Sequence, residues 1–483
     1  MPTASKKVIN AWAMYDWANS VYNLVITTTF FPIYFIAVTR KGSSDKVHFL
    51  GRDFVNSSLY DYTLATAYLL IAISYPILTS IADTRGNKKN FMRFFCYTGS
   101  LGCCLLFFFD SSNLWLGICA FMMAAMGFVG SLVFYNAYLP EIAAPEDQDR
   151  VSAKGFSYGY IGSVLMQIIG FVLVIMMKGH EGRASQITFL LVGIWWAGWA
   201  QITFARLPNS DRNPVKKGNF LRDGFVEIRK VYGEMKGLPV LKKFLRAFFF
   251  YSMGVQTVML AATLFGSKLL GLEDTQLIIT VVLIQLVAIA GAMLMSRLSS
   301  RFGNIRVLMG VVLFWIAICV AAYQTATLAE PLRPAHEKIE ALKKQKEDLV
   351  GQAGAEGAIA GLDNQIKAEQ DQLEPKQKPI EYGFYVLAIA VGLVMGGIQS
   401  LSRSTYSKLM PQTKDTASYF SYYDLTEKIA IVIGMLSFGY IEELTGSMKN
   451  SVLSLIVFFV LGFIWLYLAL RKQKQASVST LAS

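Results

Sequence analysis

Long apolar runs recur along this chain, and they restrict its fold more than any other feature. About twelve of them reach membrane length, roughly 20 residues each. Their approximate cores are Ala11–Val38, Ser57–Ala82, Phe91–Phe109, Leu114–Leu139, Gly155–Met177 and Ile187–Phe204, then Phe244–Leu270, Leu277–Met295, Val307–Ala326, Tyr382–Leu401, Phe420–Tyr440 and Ser451–Leu470. In hydrocarbon a backbone must satisfy its own hydrogen bonds, and runs of this length do so as helices. The expectation is an all-α polytopic membrane protein with twelve transmembrane helices in two six-helix bundles related by a parallel pseudo-repeat. Residues 1–204 form the first bundle and 244–470 the second, with a basic linker at 205–243, an insert at 328–381 inside the second bundle, and a tail at 471–483.

The net charge of +12 would suggest a nucleic-acid partner in a soluble chain. Here the positive-inside rule accounts for it: roughly 28 Lys/Arg fall on the side of the termini and roughly 15 opposite, about 8 of those in the insert. Both termini are therefore expected in the cytoplasm, in a multi-pass inner or plasma membrane protein that binds no nucleic acid. Lys6 and Lys7 precede an apolar run too long for a signal-peptide core, so it reads as an uncleaved anchor. The five cysteines lie in apolar segments without metal-type spacing and read as small core residues.

Polar residues inside such runs are costly and mark packing or function. Asp16 sits about 9 Å into the first run at 1.5 Å per residue. It reads either as a helix-packing carboxylate or as an ion- or substrate-responsive group. Tyr15 and Asn19 flank it. The eleventh run holds Tyr423, Asp424, Glu427 and Lys428. Asp424 and Lys428 share a helical face at a spacing of four, which leaves one acid of the three charged residues unpaired. That acid reads as a proton site, or the group snorkels to the interface. Asn136, Gln167, Gln256, Gln285 and Gln399, with Arg403 at the end of the tenth run, could line a cavity for a small zwitterionic solute or merely tie helices together. His48, His180 and His336 fall in outer loops, so carboxylates must carry any proton coupling. No phosphate-binding G-x-x-x-x-G-K-[ST] stretch occurs, and no intramembrane metal or nucleophile constellation suggests an enzyme or a cofactor.

Internal matches support two similar halves. Tyr15-Asp16 is echoed by Tyr251-Ser252, Asp83-Thr-Arg-Gly-Asn-Lys-Lys89 by Ser300-Arg-Phe-Gly-Asn-Ile-Arg306, and Phe156-Ser-Tyr158 by Phe420-Ser-Tyr422. In such architectures the site lies near the midplane between the halves. In the linker, which carries Lys216 and Lys217, Phe225, Ile228, Val231, Tyr232 and Met235 recur at helical spacing. They suggest a surface helix whose simplest role is a connector with a solvated face. In the insert, Pro331 and Pro334 open and Pro375 and Pro379 close a helical hairpin. Ile339, Leu342 and Leu349 form one seam and Leu362, Ile366 and Leu373 the other, with Gly351–Gly361 between them. It reads as a solvated appendage, or as a docking arm for a partner.

Ala82-Asp-Thr-Arg-Gly-Asn-Lys-Lys89 between the second and third runs resembles the gating motif of the major facilitator superfamily, with Thr79 in place of the usual glycine. The resemblance implies a gate of Asp83, Arg85, Gly86, Lys88 and Lys89, in which Asp83, Arg85 and Lys89 stabilise the outward-open state. Tyr15-Asp-Trp-Ala-Asn-Ser20, Phe134-Tyr-Asn-Ala-Tyr-Leu-Pro-Glu141, Gly397-Ile-Gln-Ser-Leu-Ser-Arg403 and Phe420–Lys428 resemble the vacuole-effluxer-like branch, named for vacuolar amino-acid exporters. Tyr251-Ser-Met-Gly254 departs from that branch's Tyr-Asn-Asp-Gly and leaves Asp16 without an acidic counterpart in the second half. The resemblance implies a secondary transporter in the lipid bilayer that moves a small-molecule substrate (a small polar organic solute, by analogy an amino acid) by rocking its two halves; a monomer is expected, driven by protons through Asp16 and the Asp424/Glu427 pair. Uptake of peptides or cell-wall fragments is the rival within that class. A non-transporting scaffold or sensor acting through the hairpin is the rival outside it.

Overall fold

A computed structural model describes residues 2–40, 46–209, 220–272, 274–349 and 356–481. Lys216, Lys217 and residues 350–355 of the hairpin tip lie outside the described residues. In chain order the helices are α1 (Lys6–Thr39), α2 (Asn56–Arg85), α3 (Lys88–Phe108), α4 (Leu114–Ile142), α5 (Gln148–Met176) and α6 (Glu181–Arg206). They continue as α7 (Phe220–Lys236), α8 (Pro239–Leu270), α9 (Asp274–Phe302), α10 (Asn304–Ala329), α11 (Arg333–Leu349), α12 (Glu356–Leu409), α13 (Thr416–Thr445) and α14 (Met448–Leu481). Among the described residues, eleven helices are long and apolar enough to cross a membrane. The twelfth expected span is α13, a 30-residue helix whose Asp424, Glu427, Lys428, Glu442 and Glu443 keep it outside that set. A hairpin of β1 (Lys46–Phe49) and β2 (Arg52–Val55) turns at Leu50 and Gly51, both at positive φ, and joins α1 to α2.

The two halves repeat the same packing. In the first, α1 packs on α5 and α6, α3 on α4 and α6, and α2 on α4. In the second, α8 packs on α13 and α14, α10 on α12 and α14, and α9 on α12. These are the same five pairings, taken in the same order. Between the halves, α5 meets α9 and α12, while α13 meets α2 and α4. The two echoed turns also correspond: Gly86 (φ 62°) and Gly303 (φ 85°) both occupy the positive-φ region that glycine enters without a Cβ clash.

Three local features depart from the sequence expectation. The middle of α1, Tyr22–Phe30, is π-helical. Pro32 has no N–H, so carbonyls of the preceding turn lose a donor. A side chain supplies a replacement: Tyr60 donates to Thr27 O (2.6 Å). Pro375 and Pro379, expected to close the insert, lie inside the unbroken 54-residue α12. The outer part of α12 stands beside α11 over a small core of Ile339, Ile366 and Leu373, and neither proline is buried there. The residues expected as a tail likewise continue helix α14 to Leu481.

The linker helix α7 is more than a solvated connector. It packs on α2, with Val231 and Met235 buried, and its Glu234 and Lys230 bond Tyr419 and Asp415 at the start of α13. Tyr232 stays exposed, and the side chains of Phe225 and Ile228 lie outside the described residues.

Candidate functional site

Buried charge gathers where α1, α4 and α5 of the first half face α12 and α13 of the second. Arg403 lies six residues, about 9 Å, inside the end of α12 at Leu409. Only 2% of it is exposed. Its Nε donates to Ser152 Oγ (2.9 Å) and its outer nitrogens to Ser152 O (2.8 Å), Asn136 Oδ1 (3.3 Å) and Asp16 Oδ2 (3.4 Å). The guanidinium also lies against the rings of Phe156, Trp12 and Tyr135, 4.3, 4.9 and 5.4 Å from their centroids. Trp12 and Tyr135 are themselves stacked at 4.4 Å. Asp16 takes a second bond from the Tyr135 hydroxyl (2.7 Å). Gly155 makes this approach possible, because a Cβ there would stand 2.6 Å from Asp16 Oδ2 and 2.7 Å from the Tyr135 oxygen.

A second acid completes the bridge. Asp424 is buried in α13, and its Oδ1 accepts from Asn136 across the interface (3.3 Å). Its Oδ2 has no hydrogen-bond partner. Here the sequence expectation needs correction. Lys428 does not form an ion pair with Asp424, four residues back; it pairs with the adjacent Glu427 (2.9 Å), which also accepts from Gln256 (3.0 Å). The side chain of a lysine is long enough to swing along the helix surface, and here the Tyr68 ring of α2 draws it (5.6 Å). The acid left over is thus Asp424.

The other expected residues divide. Gln167 and Gln285 bond each other across the interface (2.9 Å), and Gln399 accepts from Tyr160 (2.8 Å). Tyr423 stacks on Phe248 within the second half (4.2 Å). Tyr15 and Asn19 bond neither Asp16 nor Arg403: Tyr15 packs on Tyr135 and Phe204 inside the first half, and Asn19 bonds Ser131 (3.2 Å). Successive helical residues are 100° apart, so neighbours of Asp16 cannot all share its face. Sequence reasoning leaves out Ser152, Gly155, Phe156, Asp149 and Lys408. It also leaves out Tyr135 and Glu141, although both lie within the quoted stretch Phe134–Glu141, which was the available signal.

Two ionic clusters join the halves on the side of the termini. In one, Asp83 at the end of α2 accepts from the backbone N–H groups of Ser418 (2.7 Å) and Ala417 (3.3 Å) in the first turn of α13. A carboxylate there complements the positive end of the helix dipole. Its basic partner is Lys88 (3.4 Å), which also bonds Glu141 and the Thr416 hydroxyl. The resemblance implies Arg85 and Lys89 for this role, but Arg85 is exposed and Lys89 half-buried, whereas Lys88 is buried. In the other cluster, Asp149 of α5 is bonded by Lys408 (2.7 Å), Ser299 (2.7 Å) and Asn304 (2.6 Å) of the second half. Ser300 holds the place of Asp83 in the repeat, and the acid has moved to the facing helix.

Among the described residues no group of three His, Cys, Asp or Glu side chains could hold a metal ion. A pocket inside the second half, lined by Val258, Phe265, Ile284, Ile318, Phe384 and Phe438, is apolar and separate from the charged cluster.

Two similarly packed helical halves, with charge buried at their junction, define a transporter of the major facilitator type. Solved structures share the fold. The human organic anion transporter MFSD10 superposes with a TM-score of 0.64 at 11% identity, over 95% of this chain and 99% of that one. The fucose:proton symporter FucP of E. coli gives 0.61 at 13% identity, over 96% and 97%. A family profile described as "Vacuole effluxer Atg22 like" matches residues 4–330 and 376–478, and the chain belongs to that family. The gap in the match falls on the hairpin. The MFS-type transporter YxiO of Bacillus subtilis (strain 168) is 29% identical, with 94% of this chain and 93% of the relative covered. Autophagy-related protein 22 of Kluyveromyces lactis is 23% identical, with 96% and 93% covered.

Proposed function

We propose that this protein is a secondary active transporter that carries a small polar organic solute by alternating access, with amino acids the first class to test. Protons supply the drive through Asp16 and Asp424. The observation that carries this reading is that a buried arginine of one half is held by a buried carboxylate of the other. A charge pair across a moving interface must break when the halves rock apart, so its protonation or replacement biases that motion. The ionic clusters on the side of the termini belong to the same cycle and hold that side closed. We place that side in the cytoplasm and the protein in an inner or plasma membrane, on the distribution of Lys and Arg.

The test is Asp16→Asn in proteoliposomes. The variant is expected to fold, because a neutral amide still accepts from Tyr135, and to lose solute flux driven by a pH gradient. Undiminished pH-driven flux in the folded variant would remove Asp16 from the coupling.

A further inference from the structure

Arg403 belongs to the second half, yet every group that binds it comes from the first. We propose that the cradle of Asp16, Asn136, Ser152 and the Trp12, Tyr135 and Phe156 rings is a binding site for an organic cation, preferably a guanidinium or primary amine, and that Arg403 is a tethered stand-in for it. The inference rests on the transport reading above and names its substrate class.

The geometry separates a cationic ligand from an anionic one. A guanidinium has five N–H donors. In Arg403 the Nε–H reaches Ser152 Oγ, and three further bonds go to Ser152 O, Asn136 Oδ1 and Asp16 Oδ2. At most one donor is left for an incoming anion, and three aromatic faces enclose it. An anion would also meet Asp16. The first half, by contrast, presents a carboxylate, a carbonyl, an amide oxygen, a hydroxyl and three π faces, which is the inventory that recognises a cation. Gly155 leaves this cradle open, its missing Cβ being the atom that would fill it. When α12 moves away on the side of the termini, Arg403 leaves with it and the cradle takes the solute's cationic head. When the halves close, Arg403 returns, competes for the same oxygens and rings, and expels the solute toward the opposite side.

The experiment vacates the cradle and refills it. Purified full-length Arg403→Ala is titrated with ethylguanidinium chloride against matched sodium chloride, and thermal unfolding is followed. The variant is expected to gain about 1 °C once the probe exceeds its Kd tenfold and about 3 °C at a hundredfold excess. The wild type should gain less than Arg403→Ala, because its own guanidinium competes for the cradle, and the double variant Asp16→Asn/Arg403→Ala should gain nothing beyond the salt control. A folded Arg403→Ala protein that ignores the probe, or a double variant that responds equally, overturns the cradle. Counterflow by the wild type in proteoliposomes does not depend on the variant folding: labelled agmatine is expected to move, and glucose and succinate are not. If neutral or anionic solutes exchange while agmatine neither moves nor competes, the cationic class is wrong and the transport reading stands. If no solute exchanges at all, the transport reading fails and the proposal falls with it.

Discussion

Asp83→Asn is the sharpest probe of how the halves are held together on the side of the termini. The Asp83 carboxylate takes two backbone N–H bonds, at 2.7 and 3.3 Å, from the first turn of α13 and lies 3.4 Å from the Lys88 ammonium. Those N–H donors belong to the second half, so the bonds exist only while this side is closed. An amide keeps the shape but loses the charge, and with it about half the strength of each charge-assisted bond and the attraction to the helix dipole. Together these amount to roughly 2 kcal/mol of the closed state's advantage. At 1.4 kcal/mol per factor of ten, the ratio of closed to open molecules falls about 20- to 30-fold. The assay is the labelling rate of Ser421→Cys by a membrane-impermeant maleimide, in a background with the five native cysteines replaced. Ser421 is 2% exposed and sits one turn inside the contact, so its labelling rate reports opening. Lys89→Ala serves as the comparison and should stay within about twofold of the parent, as peripheral substitutions do. An Asp83→Asn rate within twofold of the parent would refute the reasoning, and so would an equal rise in Lys89→Ala.

Two further outcomes follow from the same structure. Gly155→Ala should cost about 1–3 kcal/mol by overpacking, because its Cβ would press on Asp16, Tyr135 and Arg403 together; a melting temperature equal to the parent's would contradict this. At the N-terminus, the Thr3 hydroxyl donates to Asp147 (2.6 Å), and that bond, with Arg150 second, holds the Asp147 carboxyl below the usual range. A lowered folded-state pKa means the contribution is complete above the ordinary carboxylate value of about 3.9 and is lost as pH falls through the lowered one. A spin label at Pro2→Cys should therefore keep its mobility from pH 7 to 5 and loosen only below about pH 4; loosening between 7 and 5 would refute it.

Hydropathy suffices to find the membrane helices because it averages over many residues, and it tolerates errors of a few residues at each end. The repeat was visible for a different reason. The turn at Gly86 and that at Gly303 need a positive φ, so glycine marks both even where the surrounding residues have diverged. The charged α13 shows the limit of averaging, since the residues that make it interesting also remove it from the apolar set. The prolines of α12 misled for a local reason: Pro375 and Pro379 lie on exposed surface, where water can serve the carbonyls they leave unpaired, and the neighbouring arm holds the helix straight.

The site was harder to read because its identity depends on rotation and on distance along the chain. Lys88 and Lys89 differ in sequence by one step and in the folded protein by a 100° turn, which puts one under α13 and leaves the other half-buried. In a span as apolar as α1, no alternation shows which way Asp16 faces, so Tyr15 and Asn19 could not be separated from it. The acidic counterpart sought near Tyr251 does not exist. What answers Asp16 is a base, Arg403, 387 residues away in the other half. A pseudo-repeat leads one to expect like opposite like, but a buried carboxylate at an interface needs an opposite charge. The same exchange occurs at the gate, where Ser300 replaces the acid of Asp83 and Asp149 supplies one from the facing helix. The repeat has kept its backbone while its charges have become complementary, and complementarity is what lets two similar halves close on each other.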